Sequence, residues 1–346
     1  MNRFQDFKLQ HRLKAHLQPL SSCAFNKKGD MFVTGSYDNT AKIWSTDTGD
    51  LLISLKGHKK IVYCVTFNGG YCDRVATGSC DKTARIWDVN DGDCLVSMKG
   101  HEAEIFSVKF DPNSTLLVTG SMDYTSKVWD VESGKEYLTL EGHTGEVVCV
   151  DVSSDGDKVL TSSFDGTARL WDLRTGDCVQ EFKEHTAEIA SGVLGFGGDL
   201  IATGGLDKLV KLWDCRKSGS INTWNSHSDE VYEVAFSPSA NKLSSVSADS
   251  TGRIYNTLDD GEVILIGHTK GVSKTMFNSQ GTKVLTASAD CTLKLWNLNG
   301  DELQTLEGHE DDIFSCAFNL ESDVIISASK DNTCIVWKDF YSENLK

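Results

Sequence analysis

Eight of the nine histidines recur at near-constant spacing, at His16, His58, His101, His143, His185, His227, His268 and His309. The intervals run from 41 to 43 residues. A fixed period constrains a fold more than any local signal, because each repeat must become one unit that buries its apolar face against the next. Two more residue types keep the register. Aspartates follow at Asp38, Asp81, Asp123, Asp165, Asp207, Asp249, Asp290 and Asp331. Six residues beyond stand Trp44, Trp87, Trp129, Trp171, Trp213, Trp296 and Trp337, with Tyr255 in the sixth unit.

Within a unit the polarity alternates with period two, as in strands. Residues 61–67 read IVYCVTF, 73–79 DRVATGS, 83–89 TARIWDV and 93–98 DCLVSM, with turn residues between. Pro112 and Pro238 each follow an apolar run, where proline suits the second position of a turn. Four short strands in about 42 residues is the period of a propeller blade. The predicted fold is all-β: a closed eight-bladed propeller with four antiparallel strands per blade, residues 1–346 forming one domain. The last unit is short, for after Trp337 only KDFYSENLK remains, with no glycine turn. Residues 7–14, FKLQHRLK, lead into His16 as residues 50–56 lead into Gly57-His58. Residues 1–14 are therefore expected to supply the missing outer strand and remove an open edge.

Gly-His near the start of units (Gly57-His58, Gly100-His101) and Trp-Asp near the end (Trp87-Asp88, Trp129-Asp130) make the chain resemble WD-repeat proteins from residue 7 to about 338. The resemblance implies buried hydrogen-bonded sets of His, a Ser two residues before the Asp, the Asp and the Trp. The matching sets are His16-Ser36-Asp38-Trp44, His58-Ser79-Asp81-Trp87, His101-Ser121-Asp123-Trp129, His143-Ser163-Asp165-Trp171, His268-Ser288-Asp290-Trp296 and His309-Ser329-Asp331-Trp337. A buried carboxylate needs donors and a buried indole N–H needs an acceptor. Removing one such Asp is expected to cost about 1–3 kcal/mol. Gly205 replaces the Ser in blade five and Tyr255 the Trp in blade six, so those blades are expected to be looser.

Eightfold recurrence assigns Ser-His-Asp to the scaffold rather than to a nucleophilic triad. HEAEI (101–105) lacks the second His of a zinc helix. LGFGGD (194–199) opens no helix on which a phosphate could rest, and SASK (327–330) lies in a strand. No CxxC occurs among 11 cysteines, an odd number, which points to reduced, mostly buried thiols. No catalytic residue, metal or cofactor is expected. A net charge of −16 argues against nucleic acid and against anionic membranes. No apolar run spans a bilayer and MNRFQDFKLQ has no signal-peptide core, so a monomer in the cytoplasm is expected.

The histidine loops and the Asp turns open on one face, the top. Three residues after the histidine stand Glu104, Glu146, Glu188, Glu230 and Asp312. Two further on come Phe106, Val148, Ala190, Tyr232 and Phe314, with Tyr63 in blade two. Before the turn Asp stand Tyr37, Cys80, Met122, Phe164 and Leu206 in blades one to five, and Lys330 in blade eight. An apolar arc rimmed by carboxylates is what protein-binding sites look like.

LKAHLQPL (13–20), TGSYDNTAKIW (34–44), GHKKIVYCVTFN (57–68), TGSMDYTSKVWD (119–130), SADSTGRIYN (247–256) and GHEDDIFSCAFN (308–319) resemble the dynein assembly factors with WD repeat domains. This resemblance implies a non-catalytic adaptor that binds an intraflagellar transport subunit and outer-arm dynein, in the cytoplasm and at the cilium or flagellum and its base. It also implies an N-terminal extension that shares in partner binding. In this sequence the closing strand starts almost at once. The alternative is a generic WD scaffold, either a ubiquitin-ligase substrate adaptor or a centriolar WD protein. The former usually carries an F-box or similar segment, which is not visible here.

Overall fold

A computed structural model describes residues 6–217, 219–259 and 261–340. Residues 1–5 of the expected closing segment lie outside the described residues. The described chain is all-β, with thirty-two strands in eight four-stranded antiparallel sheets. Each sheet is a blade. Blade one shows the pattern: Leu20–Phe25 at the channel, then Met31–Ser36, Thr40–Ser45 and Leu51–Lys56 at the rim. In blade eight the outermost position belongs to Phe7–Leu13, which pairs antiparallel with Cys334–Asp339 in the register Phe7↔Asp339 to Leu13↔Cys334. The first and last described strands thus share one sheet.

The second strand of a blade reads as a continuous apolar or small run because neighbouring blades cover both its faces. Leu116–Ser121 and Lys283–Ser288 are buried at every residue but the first. Glycine occurs there for close approach: a Cβ on Gly78 would lie 2.6 Å from Cys64 Sγ and 2.9 Å from Ile105 of the next blade. The buried apolar residues form eight clusters, one per seam between blades. In seven seams the Trp of one blade packs against the preceding blade, as Trp87 does on Ile43 and Leu55.

Tyr255 fills the Trp position of blade six at 0% exposure. The missing bulk comes from blade five, where Trp224 stacks on Tyr255 with ring centroids 4.5 Å apart. The indole nitrogen of Trp224 gains no hydrogen-bond partner there. The seam between blades six and seven is sparser, with Ile254, Leu265, Phe277, Val284 and Trp296 as its buried members. A polar stitch supplements it: Thr275 Oγ1 donates to Ser244 Oγ at 3.0 Å inside the protein.

Asp111–Ser114 is a turn with Pro112 second, closed by Ser114 N–H to Asp111 O at 2.9 Å. All eleven cysteines are free. Five are buried, four are half-buried, and Cys94 and Cys178 lie exposed on outer strands.

Candidate protein-binding face

The hydrogen-bonded sets differ from the sequence expectation in their hydroxyl. The residue that joins His to Trp stands four before the Asp, not two. Trp44 Nε1 donates to Thr34 Oγ1 at 2.9 Å, and Thr34 Oγ1 lies 2.9 Å from His16 Nε2. The hub recurs as Thr77, Thr119, Thr161, Thr203, Ser245, Thr286 and Ser327. Geometry explains the choice. Trp44 pairs with Phe32, so its indole reaches diagonally to Thr34, while Ser36 sits a further step along at the strand end. There Ser36 accepts the Asp38 N–H and donates to Pro19 O. Ser79, Ser121, Ser163, Ser288 and Ser329 likewise accept the amide of their Asp rather than join His to Trp.

An indole only donates, so Thr Oγ1 accepts from Trp, and a carboxylate only accepts, so His Nδ1 gives its proton to the Asp. That leaves Nε2 to accept from the Thr hydroxyl. His143 Nδ1 lies 2.8 Å from Asp165 Oδ2, which also accepts Thr144 N–H, while Oδ1 accepts Thr167 N–H and Oγ1–H. Blade five departs as its sequence does. Gly205 leaves room for Asp207 to turn both oxygens to His185 Nδ1, each at 2.9 Å. A Cβ on Gly205 would meet Asp207 Oδ1 at 2.6 Å. The His185 hub to Thr203 and Trp213 is intact. Blade five is therefore adjusted, not emptied, and blade six keeps its relay through Ser245 and Tyr255 Oη.

All eight His rings are sealed, with side chains at most 2% exposed, so no substrate reaches them. Burial lowers the His58, His227 and His268 pKa, with Asp81, Asp249 and Asp290 opposing it. Burial would raise Asp249 and Asp290, but donated hydrogen bonds outweigh it and bring each down to about 2. Both shifts destabilise the fold in acid. Below about pH 6.5 the unfolded chain takes up histidine protons that the folded chain refuses. Below about pH 4 it takes up carboxylate protons likewise. The melting temperature is expected to fall gently from pH 7 to 5 and steeply from pH 4 to 2. A flat profile down to pH 4 in thermal melts would contradict the histidine part.

Each innermost strand carries a β-bulge at the same place, between Val62 and Cys64, Ile105 and Ser107, Val231 and Glu233, Ile313 and Ser315, and so around the ring. A bulge leaves one residue outside the ladder and re-aims its side chain. The residues so released include Tyr63, Phe106, Tyr232 and Phe314, and all four line the central channel together. Tyr63 and Phe106 meet edge to face at 4.3 Å. Burial, and then the neighbouring Tyr37, push the Tyr63 hydroxyl up to about 12. Tyr232, on the other side, is raised by burial and by Glu230.

Beyond each bulge the ladder resumes for one bond. Met122 N–H donates to Glu104 O, Phe164 to Glu146, Leu206 to Glu188 and Lys330 to Asp312. Those bonds set the acids beside the outer apolar positions. Phe164 and Glu188 are exposed, while Tyr37, Glu104, Met122, Glu146, Leu206, Glu230 and Asp312 are half-buried. The carboxylates are partly balanced: Lys60 Nζ is 3.9 Å from Glu104, and Lys330 lies within 3.5 Å of Asp311 and Asp312. Lys330 thus interrupts both the acidic ring and the apolar one.

One residue past the bulge, Cys64, Cys149, Ser191, Glu233, Lys274 and Ser315 line the channel. Several cap the next blade's bare inner edge. Ser107 Oγ accepts Val150 N–H, Ser191 Oγ accepts Val234 N–H, Glu233 accepts Thr275 N–H and Ser315 Oγ accepts Cys23 N–H. Burial would lower the Lys274 pKa, but its ion pair with Glu233 outweighs that and raises it. These groups are stitched to the scaffold. Among the described residues no group of three His, Cys, Asp or Glu could hold a metal ion, and no helix is long and apolar enough to cross a membrane.

A closed ring of eight four-stranded blades, each held by the same relay, defines a β-propeller. The family model described as WD domain, G-beta repeat, matches residues 7–45, 49–88, 92–130, 134–172, 176–214, 218–256, 261–297 and 300–338, and the chain belongs to that family. Propellers of this family are typically non-catalytic scaffolds. The chain is related to the dynein assembly factors. It is 51% identical over 70 residues to "Dynein assembly factor with WD repeat domains 1" of Danio rerio, a stretch covering 20% of this chain and 17% of that protein. The human protein of the same name is 46% identical over 74 residues, 21% of this chain and 18% of that one. The matched stretch is thus under a fifth of each relative's length. The crystal structure of the computationally designed Ika8 protein superposes with a TM-score of 0.84 at 28% identity, covering 94% of this chain and 98% of that one.

Proposed function

We propose that this chain is a non-catalytic adaptor that holds a polypeptide partner across its top face and links outer-arm dynein to intraflagellar transport. The observation that carries the binding reading is the channel mouth, where bulges deliver Tyr63, Phe106, Tyr232 and Phe314 to one opening rimmed by Glu104, Glu146, Glu188 and Glu230. Buried aromatics at an interface carry much of its energy, while rim charges set association rate and salt dependence. The partner segment is basic, since the rim and the whole chain, at −16, are acidic. The dynein reading is supported by the relatives' shared name. It places the protein in the cytoplasm and at the cilium or flagellum and its base, working as a monomer.

Phe106→Ala is expected to weaken partner binding by roughly 1–3 kcal/mol, the usual range for an interface anchor, and to leave melting unchanged. Affinity capture from ciliated-cell extract, read by mass spectrometry, should return a transport subunit with wild type and lose it with the variant. Equal recovery would move the site off this face. A loss-of-function strain should lack outer dynein arms by electron microscopy, and normal arms would end the dynein reading.

A further inference from the structure

The rim of blade six departs from its seven sisters in three ways at once. In every other blade the outermost strand carries a bulge, as between the partners of Ile43 and Trp44 or of Leu295 and Trp296. Glu262–Ile266 has none and pairs evenly from Tyr255↔Glu262 to Thr251↔Ile266. Ile264 stands where the sisters have polar residues, such as Ser54, Thr139 and Thr305. Ile266 stands where they have Lys56, Lys99 or Glu307. Both isoleucines are open to solvent, at 45% and 73%, and Leu258 nearby is 84% exposed.

Bulges, charges and polar side chains are the means by which an edge strand avoids pairing with another chain. Seven blades use them, and blade six keeps only the charge of Glu262, at the first residue of the strand and paired with Arg253. The strand is outermost in its sheet, so one side of its backbone has no partner strand. The same blade gave up its Trp for Tyr255, and Trp224 with Leu265 holds it in place from both seams. Leu265 still anchors the strand in the sparser seam, and its outer edge has no partner strand.

We propose that Glu262–Ile266 is a second docking site, where an extended segment of another protein adds a fifth strand to blade six. Backbone bonds give such a complex its affinity and alternate side chains its specificity. The incoming segment carries apolar residues at alternate positions, facing Ile264 and Ile266, and a net positive charge. Charge selects it over a second copy of this chain. Exposed Asp259 flanks the lower end of the strand, Glu262 within it is balanced by Arg253, and a second copy would bring another −16 to the contact. The site lies on the rim, apart from the channel mouth, so it can be occupied together with the top face.

The probe is the labelled peptide Lys-Val-Thr-Val-Lys-Val-Thr-Lys. It should bind wild type, slow hydrogen exchange of the 262–266 amides, and lose at least tenfold in affinity to I264T/I266K, which restores sister-type residues. N-methylation of alternate peptide amides should cost a similar factor, while F106A should change binding less than twofold. Ile266→Lys alone, at the more exposed position, serves if the double variant melts early. No binding by wild type, or equal binding by wild type and the variants, would overturn the proposal. So would sedimentation of wild type as a dimer that I264T/I266K returns to monomer, since the edge would then hold a second copy.

Discussion

Deleting residues 1–14 is expected to destabilise the chain by about 5 kcal/mol and lower its melting temperature by roughly 10 °C, at ~2 °C per kcal/mol for a chain of this size. Phe7 alone accounts for much of this. It is 2% exposed, sits in the seam between blades seven and eight, and lies 6.3 Å from the Phe318 ring. Emptying a buried Phe site costs about 3–5 kcal/mol. Gln304 adds a clasp, accepting Phe7 N–H at 3.0 Å and donating to Phe7 O at 2.6 Å. The deletion also bares Cys334–Asp339, a strand with five of six residues buried, as an apolar edge open to other chains. The truncated protein should therefore aggregate as well as melt early. A peptide of residues 1–14 added in trans should recover part of the loss. Unchanged melting with monodisperse behaviour would show that the ring does not depend on this strand.

Asp165→Ala is expected to cost about 3–5 kcal/mol, more than the 1–3 kcal/mol drawn from sequence, because removal of one member of a buried hydrogen-bonded pair strands its partners. The Asp165 side chain is 6% exposed and takes four donors, from His143 Nδ1, Thr144 N–H and both groups of Thr167. In blade five Leu209 stands where Thr167 does and offers only its amide, so Asp207→Ala should cost about 1 kcal/mol less. Urea melts of both variants read the difference from the midpoint at constant slope. A cost near zero at Asp165 would mean that water replaces the carboxylate and that the sets add little to stability.

Blade number, strand order and closure were legible because a period of 41–43 residues leaves one way to bury each unit. The relay was legible in its residue types and misread in its wiring. Ser36 and Thr34 are two apart on one face of a strand, and only the cross-strand pairing of Trp44 with Phe32 decides which one meets the indole. A signal was present: Thr or Ser stands four before every Asp, even in blade five, where the Ser is missing. The channel face was legible in part. Counting along an even strand put Phe106 and Phe314 on the side of the acids, but a bulge intervenes and turns them into the channel mouth of that same face. No residue type announces the bulge, because Ser21, Tyr63 and Ala190 occupy it equally well. Trp224 was missed because it lies in an outer strand outside the register, where its size answers a deficit one blade away.

The central claim is that a basic partner sits on the channel mouth by its aromatic rings, steered by the acid rim. The direct test is a binding titration of the captured transport subunit with wild type and with Phe106, Tyr232 and Phe314 all changed to Ala, at about 0.05 and 0.15 M salt, which spans Debye lengths of roughly 14 to 8 Å. Wild type should bind more slowly at the higher salt, and the triple variant should lose at least about 3 kcal/mol of affinity with its melting intact. Undiminished binding by a folded triple variant would contradict the claim.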